Sequence, residues 1–267
     1  FNTGKCYDNG EGVEQDKTKA FDCFSKAAKC GHTAAMNNVG SCFSNGEGVE
    51  QDKTKAFEWF MKAANQGNAS AIAIWNVGVC YDNGRGVSQD KTKAFEWYLK
   101  AANIGNIDAM YNVGWCFSKG HGVVQDKTKA FEWYLKAANN GNAGAMYNVG
   151  WCYQNGKGVT KDLTKAFEWY LRSVEKGNTS GMNAVGECYY DGNGVSKDLD
   201  KAHEWFTKAA NNGNKKAKRN LRNLDEDHIE PYDSSTPNKP DEPLPQPSTI
   251  MSLLYSLSTY LHSFLPF

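Results

Sequence analysis

Apolar residues along this chain fall at helical spacing, and the spacing restarts at regular intervals. In residues 126–159, Ala130, Tyr134, Ala137 and Ala138 share one helical face, while Lys127, Lys129, Glu132 and Lys136 fall largely elsewhere. That pattern predicts an amphipathic helix of about four turns. Asp126 stands where its carboxylate can accept from backbone N–H groups that a first turn leaves unpaired. Gly141 suits the left-handed conformation that ends a helix. Asn142 then caps a second helix, whose Ala145, Met146, Val149, Gly150 and Tyr153 form one apolar stripe. Asn155-Gly156-Lys157-Gly158 terminates it, Val159 is expected to tuck back as an anchor, and Asp162 caps the next helix.

The same wording recurs before and after this stretch. Gly-x-Gly-Val begins at Gly10, Gly46, Gly84, Gly120, Gly156 and Gly192, at spacings of 36, 38, 36, 36 and 36 residues. A fixed period of this size marks a solenoid of stacked supersecondary units. One helical hairpin cannot bury both of its faces, so the repeats must stack. Full hairpins are expected at 32–66, 68–104, 106–140, 142–176 and 178–212, after a first repeat that opens at Phe1 without methionine and reads as truncated. The third repeat is two residues longer, which predicts an extra half-turn or a bulge at the start of the helix carrying Ser70 to Trp75. A final charged helix from about Asn214 to Asp227 suits a terminal cap with a polar outer face.

Ala145, Val149, Gly150, Tyr153, Gly156, Gly158, Val159, Asp162, Lys165, Ala166, Trp169 and Tyr170 resemble the Sel1-like repeat, a close relative of the tetratricopeptide repeat. The resemblance covers roughly residues 4–224 and recurs six times. It implies an all-α fold, a right-handed α-α superhelical solenoid of Sel1-like (TPR-like) hairpins. It also implies a scaffold or adaptor rather than one particular activity, since such folds serve many partners. A regulatory module or activator of an enzyme, of kinase or chitin-synthase type, fits the resemblance as well.

Composition refines this picture in three places. First, 13 Tyr, 13 Phe and 8 Trp are ample to bury a continuous core. Second, the zero net charge hides an asymmetry. Residues 225–242 hold seven acids against Lys239, and Lys215, Lys216, Lys218, Arg219 and Arg222 lie just before them. No basic stripe runs along the array, so nucleic acid is not an expected partner. Third, Cys6, Cys42, Cys80, Cys116, Cys152 and Cys188 share one register. Equivalent positions on stacked helices lie a helix diameter apart, roughly 10 Å, too far for a disulfide. Free thiols in a reducing compartment follow, and a cytoplasmic location is expected. Secreted bacterial members of the resembled family pair two cysteines per repeat, and this chain lacks that pairing. Asn68 and Asn178 open formal glycosylation sequons but sit where each repeat needs an N-cap.

The organisation expected is a solenoid over 1–228, an acidic Pro-rich linker over 229–248 and an apolar segment over 249–267. In the last, Ile250, Leu253, Leu254, Leu257, Leu261, Phe264 and Leu265 share a helical face. Docking on a partner or on the solenoid and anchoring at a membrane interface both remain open for residues 250–267.

No catalytic constellation emerges. The Gly-x-Gly loops follow helices and lack the strand-to-helix context of a phosphate cradle. The five histidines occupy unrelated registers, so no metal site is assembled from them, and no cofactor is expected. The differences between repeats carry more information. Tyr147, Trp151 and Gln154 form a stripe whose equivalents are Asn37/Ser41/Ser44, Trp75/Val79/Asp82, Tyr111/Trp115/Ser118 and Asn183/Glu187/Tyr190. In the tetratricopeptide relatives these positions line a concave groove. The resemblance therefore nominates Trp75, Tyr111, Trp115, Tyr147 and Trp151 as contacts for a partner peptide or helix. Asn76, Asn112 and Asn148, lying beside them, could bond its backbone. The same rings could equally serve packing between neighbouring helices. The recurrent Trp97, Trp133, Trp169 and Trp205 are read as packing residues.

Overall fold

The computed structural model describes residues 1–67 and 69–228. Among the described residues there are thirteen α-helices and no strand. In chain order they are α1 (Asn2–Asn9), α2 (Lys17–Lys29), α3 (Thr33–Asn45), α4 (Lys53–Ala64), α5 (Ala71–Asn83), α6 (Lys91–Asn103) and α7 (Ile107–Lys119), followed by α8 (Lys127–Asn139), α9 (Ala143–Asn155), α10 (Leu163–Glu175), α11 (Thr179–Asp191), α12 (Leu199–Asn211) and α13 (Lys215–His228). Consecutive helices pack on one another throughout, giving a solenoid of helical hairpins. The array forms the compact unit Phe1–Glu226. The linker read at 229–248 and the apolar segment at 249–267 lie outside the described residues.

The capping residues behave as their chemistry demands. Asp126 accepts from the Lys129 N–H at 3.0 Å, and Asn142 accepts from the Ala145 N–H at 2.8 Å. The same arrangement opens α2, α4, α6, α10 and α12 with aspartate, and α7 and α11 with asparagine. The third repeat departs from the expectation. α5 has the usual 13 residues, and Ser70 is its cap, accepting from the Ile72 N–H at 3.3 Å. The two extra residues lie in the connection before α5, not in the helix, and Asn68 lies outside the described residues. A loop accepts added length cheaply, whereas a lengthened helix would throw every later side chain out of register.

Two glycines per repeat bring backbones together. A Cβ on Gly114 of α7 would meet the Tyr134 ring of α8 at 2.7 Å, and Gly40, Gly78, Gly150 and Gly186 bear the same relation to Phe60, Tyr98, Tyr170 and Phe206. These rings are buried. The second glycine of each Gly-x-Gly has a different role. Gly122, at φ 71°, lies against the Lys91 carbonyl at the start of α6, in the preceding repeat. Gly48, Gly86, Gly158 and Gly194 repeat that approach, so a Cβ at any of them would collide with backbone.

Edge-to-face ring pairs continue the stack between repeats. Phe95–Phe117 and Phe131–Tyr153 meet at 5.3 Å, and Phe57–Tyr81 and Phe167–Tyr189 at 5.4 Å. The core runs unbroken from α4 to α10, with smaller clusters at both ends. One junction shows its tightness: Ser173 stands where the other repeats place alanine, and the facing residue is Gly181, where a Cβ would overlap the Ser173 hydroxyl. All eight cysteines are free. Cys42, Cys80, Cys116, Cys152 and Cys188 are buried, and burial pushes the Cys116 thiol up to about 12.

Two outcomes follow for the fold. Gly122→Ala should lower the unfolding free energy by about 2–4 kcal/mol in a urea titration, because a left-handed backbone and a backbone collision act together. In thiol titration of the native protein, exposed Cys30 should react first, while the five buried thiols should stay silent until denaturant is added.

Candidate partner-binding groove

The helix pairs α3–α5, α7–α9 and α11–α13 leave clefts at one repeating position. The largest of these three, about 340 Å³, opens between α7 and α9. Its walls are Tyr111 and Trp115 from α7 and Tyr147, Asn148 and Trp151 from α9, with the buried Tyr134 ring as floor. The equivalent cleft two repeats earlier, about 260 Å³ between α3 and α5, is walled by Trp75, Asn76, Ser41 and Ser44 over Phe60. A third, about 190 Å³ between α11 and α13, is walled by Glu187, Tyr190, Asp191 and Asn220 over Phe206.

Seven of the eight nominated residues thus line one of two equivalent clefts; the eighth, Asn112, bonds Trp75. Each ring is shared between cohesion and surface. Trp75, Tyr111 and Trp115 are half-buried against the main core, and Tyr147 packs on the neighbouring one. Tyr111 lies 5.8 Å from the Tyr134 ring, and Tyr147 lies 5.6 Å from Tyr170. Trp151 is the most open of them, 39% exposed. Burial pushes the Tyr147 hydroxyl above its ordinary range.

The asparagines are used differently from the expectation that they await a peptide backbone. Asn76 donates to Asn37 Oδ1 at 2.9 Å, Asn112 accepts from Trp75 Nε1 at 2.9 Å, and Asn220 donates to Asn183 Oδ1 at 3.0 Å. Each bond links one repeat to the one before it. A carboxamide offers two donors and two acceptor lone pairs, so one such bond leaves capacity for a ligand.

The structure adds a cluster that the sequence did not flag. Asp82 of α5 accepts from Lys91 Nζ at 3.0 Å and Tyr98 Oη at 3.2 Å, and His121 Nε2 stands 3.0 Å from its Oδ1. The His121 ring meets Trp115 at 4.6 Å. Burial pushes the Asp82 carboxyl up, but Lys91 and His121 outweigh that and hold it below the ordinary carboxylate range. The available signal was positional. His121 occupies the middle of Gly-x-Gly, where other repeats carry Glu11, Glu47, Arg85, Lys157 and Asn193, and only tertiary stacking brings it to Asp82. Among the described residues no group of His, Cys, Asp and Glu is arranged to hold a metal ion, and no helix is long and apolar enough to cross a membrane.

Comparison with known proteins addresses the same architecture. The family profile described as Sel1 repeat matches residues 1–32, 33–68, 71–106, 107–142, 143–178 and 179–214. Among solved structures, the chain is similar to a protective antigen present in uropathogenic Escherichia coli strains displaying an SLR fold. That similarity is 34% identity at TM-score 0.77, over 85% of this chain and 48% of that one, so this chain spans about half of its length. The chain is also similar to a Sel1 repeat protein from Oxalobacter formigenes, 32% identical at TM-score 0.76, over 84% of this chain and 89% of that one. No curated protein matches.

A pH dependence follows from the carboxylates. The capping Asp16, Asp52, Asp90, Asp126, Asp162 and Asp198 are held below their ordinary range by the N–H three residues on, as Asp82 is by Lys91 and His121 against its burial. A depressed carboxyl stabilises the fold fully above its unfolded value, and that share is lost as pH falls through the folded value. Thermal midpoints should therefore hold level down to about pH 5 and fall below about pH 4. Asp82→Asn should lower the neutral-pH midpoint and shallow that acid limb.

Proposed function

The chain belongs to the Sel1 repeat family, and from that premise we propose that it holds a segment of a partner protein along the face built by its odd-numbered helices. Sel1 repeat proteins are in general interaction scaffolds that bind protein or peptide partners. The observation that carries the reading is the pair of equivalent clefts walled by aromatic rings, with Trp151 exposed in the larger. Large aromatic side chains over a concavity are what recognition hot spots use, because they bury much area at little rotamer cost.

Packing alone is a weaker account of these residues. Rings at recurrent positions, such as Phe131 with Tyr153, stack the repeats, whereas Trp75, Tyr111, Trp115, Tyr147 and Trp151 occupy positions where the end repeats carry Asn37, Ser41, Asn183 and Glu187. We read the scaffold as non-catalytic, and its free, buried thiols suit a reducing compartment such as the cytoplasm.

The test is recovery of partners from native cells by the full chain. Trp115→Ala with Trp151→Ala should cut recovery about tenfold while far-ultraviolet circular dichroism is preserved. Trp97→Ala, on an even-numbered helix, should lower the thermal midpoint and leave recovery intact. Undiminished recovery with the double variant would overturn the proposal.

A further inference from the structure

The charges around the clefts define what kind of segment fits, granted that the odd-helix face is the binding surface. The charged residues lining the two aromatic clefts are Arg85, Lys119 and Lys127, and among the described residues no carboxylate lines either. The third cleft reverses the sign: Glu187 and Asp191 line it, with no cation. Glu187 is already engaged, by Lys216 at 2.6 Å and Asn220 at 3.0 Å. The linings of the two aromatic clefts are thus cationic, while between them the Asp82 carboxylate is taken up by Lys91 and His121.

The anchors also have a spacing. The aromatic clefts lie two repeats apart, and neighbouring first helices pack at about 10 Å, so the clefts are roughly 20 Å apart. An extended chain rises about 3.3 Å per residue, which spans that interval in about six residues. The cleft walls combine aromatic faces with serine and asparagine, suited to a large apolar side chain whose backbone finds hydrogen-bond partners.

We propose that the occupant is an acidic, extended peptide segment carrying two large apolar side chains about six residues apart. The apolar groups fill the α3–α5 and α7–α9 clefts. The carboxylates face Arg85 and Lys119, both exposed at the rim. Lys127 adds to the field while its ammonium also holds the Ser118 carbonyl. The α11–α13 cleft has no cation in its lining, so the proposed footprint lies between α3 and α9.

A random peptide library of roughly 12–16 residues, long enough for both anchors, displayed on phage and selected on the immobilised full chain, tests this. The enriched sequences should carry more acids than bases and two large apolar positions about five to seven residues apart. Arg85→Glu with Lys119→Glu should weaken a selected peptide about tenfold, and more steeply at low salt, and should turn a repeated selection towards basic peptides. Neutral or basic winners that still require Trp151 would overturn the acidic assignment and leave the groove standing. Winners indifferent to Trp115→Ala with Trp151→Ala, or no enrichment at all, would overturn both.

Discussion

The contact on which the rest of the molecule depends is the seating of one glycine against the backbone of the preceding repeat. Gly48, Gly86, Gly122, Gly158 and Gly194 all occupy left-handed conformations and all meet the first carbonyl of an even-numbered helix one repeat back. Only a residue without Cβ can be there on both counts. Because a main-chain contact cannot flex as a side chain can, it sets the separation of successive hairpins. The clefts inherit that separation. Stability in such an array is a sum over repeats and nearest-neighbour junctions, so each glycine acts on its own junction.

The aromatic residues fall into sets that recur from repeat to repeat and one set that does not. One set of rings lies on helical glycines, as Tyr134 does on Gly114. A second set makes edge-to-face pairs between repeats, such as Phe131 with Tyr153. A third is the row of tryptophans on even-numbered helices, each beneath a cation, as Lys136 lies 4.7 Å above Trp133. Apart from these stands the variable set of Trp75, Tyr111, Trp115, Tyr147 and Trp151. These rest their inner edges on the core and turn the remainder into the clefts. The dual use is economical for a scaffold. A ring braced from behind loses little freedom when a ligand covers its front.

The polar residues along the same face follow a similar division. The Asn37–Asn76, Trp75–Asn112 and Asn183–Asn220 bonds tie α3 to α5, α5 to α7 and α11 to α13, and the Asp82–His121 pair spans the same junction as Trp75–Asn112. These groups are half-buried, and Asn183 is buried, where an unpaired amide or carboxylate is costly, so they bond one another. The face is consequently held in shape before anything binds. The cleft linings along it differ in charge, with Arg85, Lys119 and Lys127 in the two aromatic clefts and Glu187 and Asp191 in the α11–α13 cleft.

The period, the caps and the glycine turns were legible in the primary structure because each is a local demand of the backbone. Asp126 and Asn142 must satisfy first-turn N–H groups, and Gly120 and Gly122 must adopt positive φ, whatever surrounds them. The helical solenoid follows from these demands repeated six times, and so does the identification of the residues that break the pattern. Tertiary structure alone decided where the two added residues of the third repeat go, since loop and helix insertions read alike in a string. It also decided that Asn76 and Asn112 bond neighbouring repeats and that His121 meets Asp82, 39 residues away. It decided how much of Trp151 stays open. Those outcomes depend on the distance between stacked helices, a property of pairs of repeats that no single repeat encodes.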